Sequence, residues 1–231
     1  MRDVELMQLH VEALFTHDVN HDLLRVNEPN GAPAPRFFLG RTRDGVICRF
    51  RHDVDSATRR ALRMALEDQT ARATSIDLLA DPLPYQHLLS RTAPVEKTWF
   101  GPAYCIPERP PTSARTIAVT TANAEVLRAL LEPWLPDVSR CQPMLALEVD
   151  GRVVTLCCSG RRTNEADEAA VETVTSYRNR GYGRLVVQAW ATAVYAEGRL
   201  PLYSTSWQNT ASQAVMRKLD LAPFGVDLHV T

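Results

Sequence analysis

The segment Arg178-Asn179-Arg180-Gly181-Tyr182-Gly183 restricts the fold more than any other part of this chain. It lies between a strand-like run, Glu168 to Val174, and an apolar helical stretch, Leu185 to Ala196. A strand that feeds a glycine turn opening a helix aims several unsatisfied backbone N–H groups, and the positive end of the helix dipole, at one point beyond the helix. Gly181 and Gly183 permit positive φ and leave no Cβ in the path of approaching oxygens. Arg178 and Arg180 flank the turn with guanidinium groups that suit phosphate oxygens. The six residues, Asn179 and Tyr182 included, read as an anion cradle. A glycine pair at such a junction also serves simply as a tight turn, so a second signal has to decide.

That signal comes about 30 residues further on. After the helix stands a short strand, Leu202-Tyr203-Ser204-Thr205-Ser206, then Asn209 with Ser212 three residues later, and a helix through Ala214 to Leu219. The two segments together resemble the GNAT superfamily of N-acetyltransferases. Its acyl-CoA signature, Gln or Arg, two variable residues, Gly, one variable residue, then Gly or Ala, is filled by Arg178, Gly181 and Gly183. In that family an Asn followed by Ala or Ser opens the helix beside the pantetheine arm, the place of Asn209 and Ser212 here. The resemblance covers about residue 114 to the C-terminus. It implies an α/β (α+β) fold with a mixed, mostly antiparallel twisted sheet and flanking helices, and acetyl-CoA as acyl donor. Residues 1–113 carry no such resemblance and are expected to form an α+β region that contributes to the acceptor site.

Composition narrows the alternatives. With 231 residues, 45% hydrophobic and 23% charged, the chain can bury a proper core. A formal net charge of −1 and dispersed arginines argue against a nucleic-acid partner or an anionic membrane. No apolar run approaches the roughly 18 to 20 residues that span a bilayer, and the N-terminus begins with charges, so a cytoplasmic protein is expected. Five cysteines, Cys48, Cys105, Cys141, Cys157 and Cys158, show no C-x-x-C spacing and read as reduced thiols, with Cys157 or Cys158 as an acyl-carrying nucleophile the weaker alternative. His17 and His21 are four apart but have no third ligand of suitable type, so no metal is expected. Oligomeric state, monomer or homodimer, is not legible.

Along the chain, apolar spacing predicts a helix from Leu6 to Phe15 that continues weakly to Leu24. A hairpin follows, Arg36–Arg41 and Val46–Phe50 around Asp44-Gly45, then a helix from Ala57 to about Arg72 with Ser56 as its cap. Prolines crowd residues 81–113, and Pro107 to Ser113 is the candidate boundary between the two regions. Beyond it the pattern predicts a strand at Thr116–Thr120, a helix from Ala124 to Leu131 capped by Asn123, a hairpin around Asp150-Gly151, a polar loop at Gly160–Asp167, and a last strand at Phe224–Val230.

For amine acylation the resemblance assigns the thioester carbonyl and pantetheine amides to the backbone of Thr173 and Val174. An amine near pKa 10 must lose a proton, which a carboxylate can accept directly or through water. Alternation puts Glu168 and Glu172 on one strand face, and they are the candidate bases, with Glu148 a weaker third. Family members often carry a tyrosine acid seven residues after the Asn, where this chain has Met216, so Tyr203 is the candidate donor to the departing thiolate. The leading expectation is an acetyl-CoA-dependent transferase acting on a small-molecule or peptide amine. A non-catalytic acyl-CoA-binding module is the alternative, and each acidic or tyrosine candidate is also compatible with an ordinary strand residue.

Overall fold

The computed structural model describes residues 1–72, 81–108 and 116–231, so most of the candidate boundary at Pro107 to Ser113 lies outside the described residues. In chain order the elements are α1 (Asp3–Leu14), β1 (Phe15–His17), β2 (Leu23–Val26), β3 (Phe37–Thr42), β4 (Val46–Phe50), α2 (Ser56–Arg72), α3 (Leu83–Ser90) and β5 (Thr98–Cys105). There follow β6 (Thr116–Ala118), 3-10 turns at Ala124–Leu127 and Glu132–Asp137, β7 (Met144–Val149), β8 (Arg152–Arg162), β9 (Ala166–Thr173), a 3-10 turn at Thr175–Tyr177, α4 (Tyr182–Ala196), β10 (Leu200–Ser204), α5 (Thr210–Lys218) and β11 (Gly225–Val230). The described residues form two compact units, one of residues 1–103, 205–208 and 223–231, the other of 104–204 and 209–222.

In the first unit β4, β3, β11 and β5 lie in that order, each antiparallel to its neighbour. Alternation sends Phe37, Leu39, Leu228 and Val230 to one face, where Leu62 of α2 and Tyr85 and Leu89 of α3 bury them. The other face receives α1. Its Met7 lies so close to Gly40 that an added Cβ would sit 2.4 Å from the Met7 side chain, which would have to shift to admit anything larger than glycine. The same face carries a buried polar cluster. Asp227, on β11, accepts Nε2–H bonds from His10 of α1 at 3.0 Å and from His229 at 2.8 Å, and neither Asp227 nor His10 has exposed side-chain surface. Trp99 stacks on the His229 ring at 4.7 Å and closes the cluster from the side.

The second unit orders its strands β10, β9, β8, β7, β6. All neighbours are antiparallel except β10, which runs parallel to β9. The expected mixed, mostly antiparallel sheet with flanking helices is what the chain forms. One face packs Cys157, Ala169 and Val171 under Val186, Val187, Trp190 and Val194 of α4 and Met216 of α5. The opposite face buries Ala146, Leu156, Cys158 and Ala170 beneath the two longer 3-10 turns. Asp150 and Gly151, with φ of 50° and 75°, make the two-residue turn that the Asp-Gly pair predicts, because both central positions of that turn need positive φ.

Several elements differ from expectation for local reasons. Helix α1 stops at Leu14, and the predicted continuation to Leu24 is instead the hairpin of β1 and β2. Asp18 Oδ1 accepts the N–H groups of Asn20 and Asp22, a side-chain bond that competes with helix. Helix α2 is capped by Asp55, which accepts from the N–H groups of Ala57 and Thr58, rather than by Ser56. The helix expected from Ala124 to Leu131 is replaced by a 3-10 turn at Ala124–Leu127, a second such turn with Pro136 inside it follows at Glu132–Asp137, and Asn123 Oδ1 accepts from Thr120 N–H instead of capping a helix. The loop expected at Gly160–Asp167 is largely strand, since β8 runs to Arg162 and β9 starts at Ala166.

The Asp227 cluster sets an acid limit on stability. Burial opposes ionisation of Asp227, but the positive charge and the Nε2–H donors of His10 and His229 outweigh it and hold the carboxyl below the ordinary aspartate value. A carboxyl depressed in the folded state contributes stability that is complete above the unfolded value of about 3.9 and is lost as pH falls through the lower folded value. Asp227→Asn should therefore cost about 3 kcal/mol at pH 7, the scale of a broken buried pair. Urea unfolding at pH 7 and pH 3 checks it: the gap between wild type and Asp227→Asn narrows at the acid end.

Candidate functional site

Strands β9 and β10 run side by side only from Ala166–Leu200 to Glu168–Leu202. Beyond that pair β9 continues to Thr173 without β10 beside it, and its residues change from buried to half-buried at Ala169. Which backbone groups face this opening follows from the other edge of β9. Val174 N–H donates to Val154 O at 3.0 Å, and Glu172 O accepts from Thr155 Oγ1 at 2.7 Å. Backbone groups alternate in direction along a strand, so those of Glu172 and Val174 point toward β8 while those of Val171 and Thr173 point toward the opening. The Thr173 carbonyl there accepts from Arg178 Nε at 3.0 Å. Of the two positions singled out in the sequence, Val174 thus spends its N–H on β8, and Val171, which the sequence does not mark, turns both its N–H and its C=O to the opening.

The glycine turn closes one end of this opening. Gly181 stands at the N-cap of α4 with φ 82°, and no side chain caps the helix. Asn179, at φ 64°, supplies a second left-handed step. The turn therefore reverses the chain and leaves the first amides of α4 directed outward. Gly183 has ordinary φ, and its reason is closeness: an added Cβ would stand 3.2 Å from a Val215 methyl of α5 and 3.8 Å from Thr173 Oγ1. Arg178 and Arg180 are exposed. Arg180 bonds Ser176 O at 3.2 Å and lies over the Tyr177 ring at 5.2 Å, and each guanidinium has further N–H donors to offer an anion. Tyr182 is the first residue of α4 and is half-buried.

Helix α5 bounds the other side. Asn209 Oδ1 accepts Ser212 N–H at 3.0 Å, an N-cap bond, and Ser212 Oγ lies 2.6 Å from the Tyr203 hydroxyl. Asn209, Ser212 and Tyr203 thus form one connected group. Burial pushes the Tyr203 hydroxyl well above the ordinary tyrosine value, so it keeps its proton. Met216 is buried against Tyr203 and Tyr104, where it acts as core. Tyr104, unmarked in the sequence reading, is likewise shifted upward by burial and lies in the same cluster.

Residues 152–223 match the family model for FR47-like protein. Among curated proteins no sequence matches the chain significantly. In structure the chain is similar to a GCN5-related N-acetyltransferase from Kribbella flavida, with 17% identity, a TM-score of 0.51, and coverage of 99% of this chain and 94% of that one. The fold is that of the GNAT acetyltransferases. An acetyltransferase of the GNAT family from Colwellia psychrerythraea gives 12% identity, TM-score 0.49 and coverage of 99% and 96%. A GNAT-family protein from Novosphingobium aromaticivorans gives 17% and 0.48; the match covers 59% of this chain and 65% of that protein's length.

On this GNAT fold the acidic candidates have unequal surroundings. Glu168 is 5% exposed and accepts from Ser204 Oγ at 2.6 Å. Glu172 lies on the same strand face, but its side chain is 42% exposed and stands 3.7 Å from Arg178. Glu148, on β7, is exposed. Next to Glu168, Asp167 points to the opposite face, fully buried, where Arg199 Nε donates to it at 2.6 Å and Ser159, itself the acceptor of Trp190 Nε1–H, bonds its other oxygen. All five cysteines are free thiols. Burial pushes the Cys157 thiol up, and a bond with Cys141 followed by burial does the same to Cys158, which withholds the thiolate that an acyl carrier would need. Among the described residues no group of three His, Cys, Asp or Glu could hold a metal ion, and no helix is long and apolar enough to cross a membrane.

The cap bond of α5 can be measured directly. Asn209→Ala should lower stability by about 1 kcal/mol in denaturant titration, while Asn209→Asp, which retains an acceptor oxygen, should be close to neutral.

Proposed function

We propose that the chain is an acyl-CoA-dependent N-acyltransferase that moves an acetyl group from acetyl-CoA to a primary amine of a small molecule or peptide by direct attack. The observation that carries this reading is the juxtaposition of the β9–β10 opening with the uncapped, glycine-turned start of α4. The residues suit the donor: Gly181 through Arg184 offer backbone amides at the positive end of a 15-residue helix, and Arg178 and Arg180 supply charge for a pyrophosphate. Val171 and Thr173 offer strand-edge groups to the amides of the pantetheine arm, and Asn209 and Ser212 flank it from α5. The donor itself brings a thioester, whose thiolate is a good leaving group.

Glu168 is the general base in this reading, since it is the acid at the end of the β9–β10 pairing, where it accepts from the Ser204 hydroxyl at 2.6 Å. Glu172, close to Arg178, serves better to orient that guanidinium. The Tyr203 hydroxyl, protonated across the neutral range, is the donor to the thiolate. The buried methionine at 216 favours a second reading, a module that binds acyl-CoA without turnover, because the hydroxyl at Tyr203 is already engaged by Ser212.

Thermal shift with acetyl-CoA, CoA, ATP and NAD tests the donor. A ligand at a hundredfold excess over Kd adds about 2.7 kcal/mol of stability, and only the two CoA species should do so. Gly181→Val should abolish that gain. Gly151→Val, at a similar φ of 75° with nothing near it, controls for backbone strain and should retain it. Thiol release with amines then separates the two readings: Glu168→Gln should reduce kcat/KM by roughly 10²- to 10⁴-fold, the range of general-base catalysis, whereas a binding module gives no turnover to reduce.

A further inference from the structure

We propose that the hydroxyls of Thr155 and Thr173 form a polarised pair that presents a pure hydrogen-bond acceptor to the cosubstrate, and that the group it receives is the hydroxyl of the pantetheine arm; the inference rests on the reading of the opening as an acyl-CoA site. The first member fixes the pair. Thr155, on β8, is fully buried, and its Oγ1 lies 2.7 Å from Glu172 O and 2.8 Å from Thr173 Oγ1. A carbonyl oxygen can only accept, so the single Thr155 hydroxyl hydrogen goes to Glu172. The second contact then has one possible direction, with Thr173 Oγ1–H donating to Thr155 Oγ1. With its hydrogen turned toward β8, the Thr173 hydroxyl has lone pairs to offer and nothing to donate.

Thr173 is placed to use those lone pairs. It is the last residue of β9, half-buried, in the stretch that runs on past the pairing with β10. Its side chain leaves the strand on the face that carries Ala169 and Val171, beneath α4. A Cβ on Gly183 would stand 3.8 Å from Thr173 Oγ1, in ordinary contact, so the glycine leaves the hydroxyl uncovered. Among the described residues Thr155 is the one hydrogen-bond partner of that hydroxyl.

An oxygen that only accepts disfavours phosphate and carboxylate oxygens and suits an O–H or N–H. The pyrophosphate of CoA is all acceptors, which the amides and arginines of the glycine turn complement. A few bonds beyond it the pantetheine arm carries a neutral hydroxyl, and farther on two amides. The turn lies at the Thr173 end of β9, so an arm laid from the turn along the β9 edge would pass its hydroxyl by Thr173 before its amides reach Val171. The order of groups along the arm thus matches the order of residues along the strand.

The test is binding by the full chain, titrated calorimetrically with CoA and, by displacement of CoA, with 3′,5′-ADP, which keeps the nucleotide and lacks the arm. Thr173→Val, similar in shape but without the hydroxyl, should weaken CoA binding about tenfold, the scale of a lost hydrogen bond that leaves one group unpaired, and should leave 3′,5′-ADP unaffected. Thr173→Ser should recover most of the affinity. Thr155→Val lets the Thr173 hydrogen turn outward, so it should also weaken CoA, and the double variant should bind no worse than Thr173→Val because the two hydroxyls act as one unit. Should Thr155→Val fail to fold, the Thr173 variants decide alone. CoA bound equally by wild type and Thr173→Val overturns the inference and leaves the reading of the site standing. Equal losses for CoA and 3′,5′-ADP in Thr173→Val, or the same loss in Thr173→Ser, reduce the hydroxyl to packing and overturn it too. Absence of CoA binding by wild type removes the underlying reading and the inference with it.

Discussion

Everything about the candidate site depends on two parallel strands that cease to pair. Strands β9 and β10 share hydrogen bonds only as far as Glu168 and Leu202, and the next amide along the chain after β10, Thr205 N–H, donates to Pro102 O instead of to β9. Backbone polar groups that lose a partner must face water or a ligand, because leaving them buried and unpaired costs as much as a lost hydrogen bond. The parting therefore leaves the Val171 backbone without a ladder partner on the side of β10. The glycine turn matters because it sits at the end of that same stretch of β9, so that strand-edge amides and helix-start amides converge instead of serving two separate surfaces.

Two adjacent acids on β9 show how the sheet separates their surroundings. Asp167 and Glu168 point to opposite faces, as alternation requires. Asp167 is enclosed by Arg199, Ser159 and, through Ser159, Trp190, so it ties the end of α4 and the start of β10 to the strand. Glu168 meets a neutral hydroxyl. The two residues are neighbours in sequence and almost equally buried, yet alternation alone gives them different partners on different faces.

What the sequence made legible was mostly local. The turn at Gly181 and the hairpin at Asp150-Gly151 are readable because positive φ is a steric demand that few residues meet. The α5 cap is readable for the same kind of reason, an Asn with its acceptor three residues before a free N–H. Period-two alternation correctly put Glu168 and Glu172 on one face, but it carries no information about burial, and the two differ most in exactly that respect: one is enclosed beside Ser204 and the other is exposed beside Arg178. Partner choice was also hidden. Nothing in Phe224 to Val230 says that β11 pairs with β3 and β5, and His10 is 217 positions from the Asp227 it bonds. The predicted helix from Ala124 to Leu131 is a 3-10 turn only as far as Leu127, and Pro133 and Pro136 keep the chain beyond Leu131 from extending it as a continuous helix. Val171 escaped notice since its importance lies in which edge its backbone faces, a property of register and not of residue type.

The end of β10 adds one more constraint. Tyr203 and Ser204 are consecutive, so their side chains leave the strand on opposite faces: Tyr203 joins the cluster under α4 and α5, while Ser204 meets Glu168 on the other side. In the acyl transfer proposed above, the nucleophile would approach the carbonyl carbon from one side while the leaving group is protonated elsewhere, with Tyr203 as the acid. On that proposal α5 need not supply a tyrosine, and residue 216 is free to pack: Met216 is buried in the same cluster as Tyr203 and Tyr104, where it helps to hold the Tyr203 ring in place.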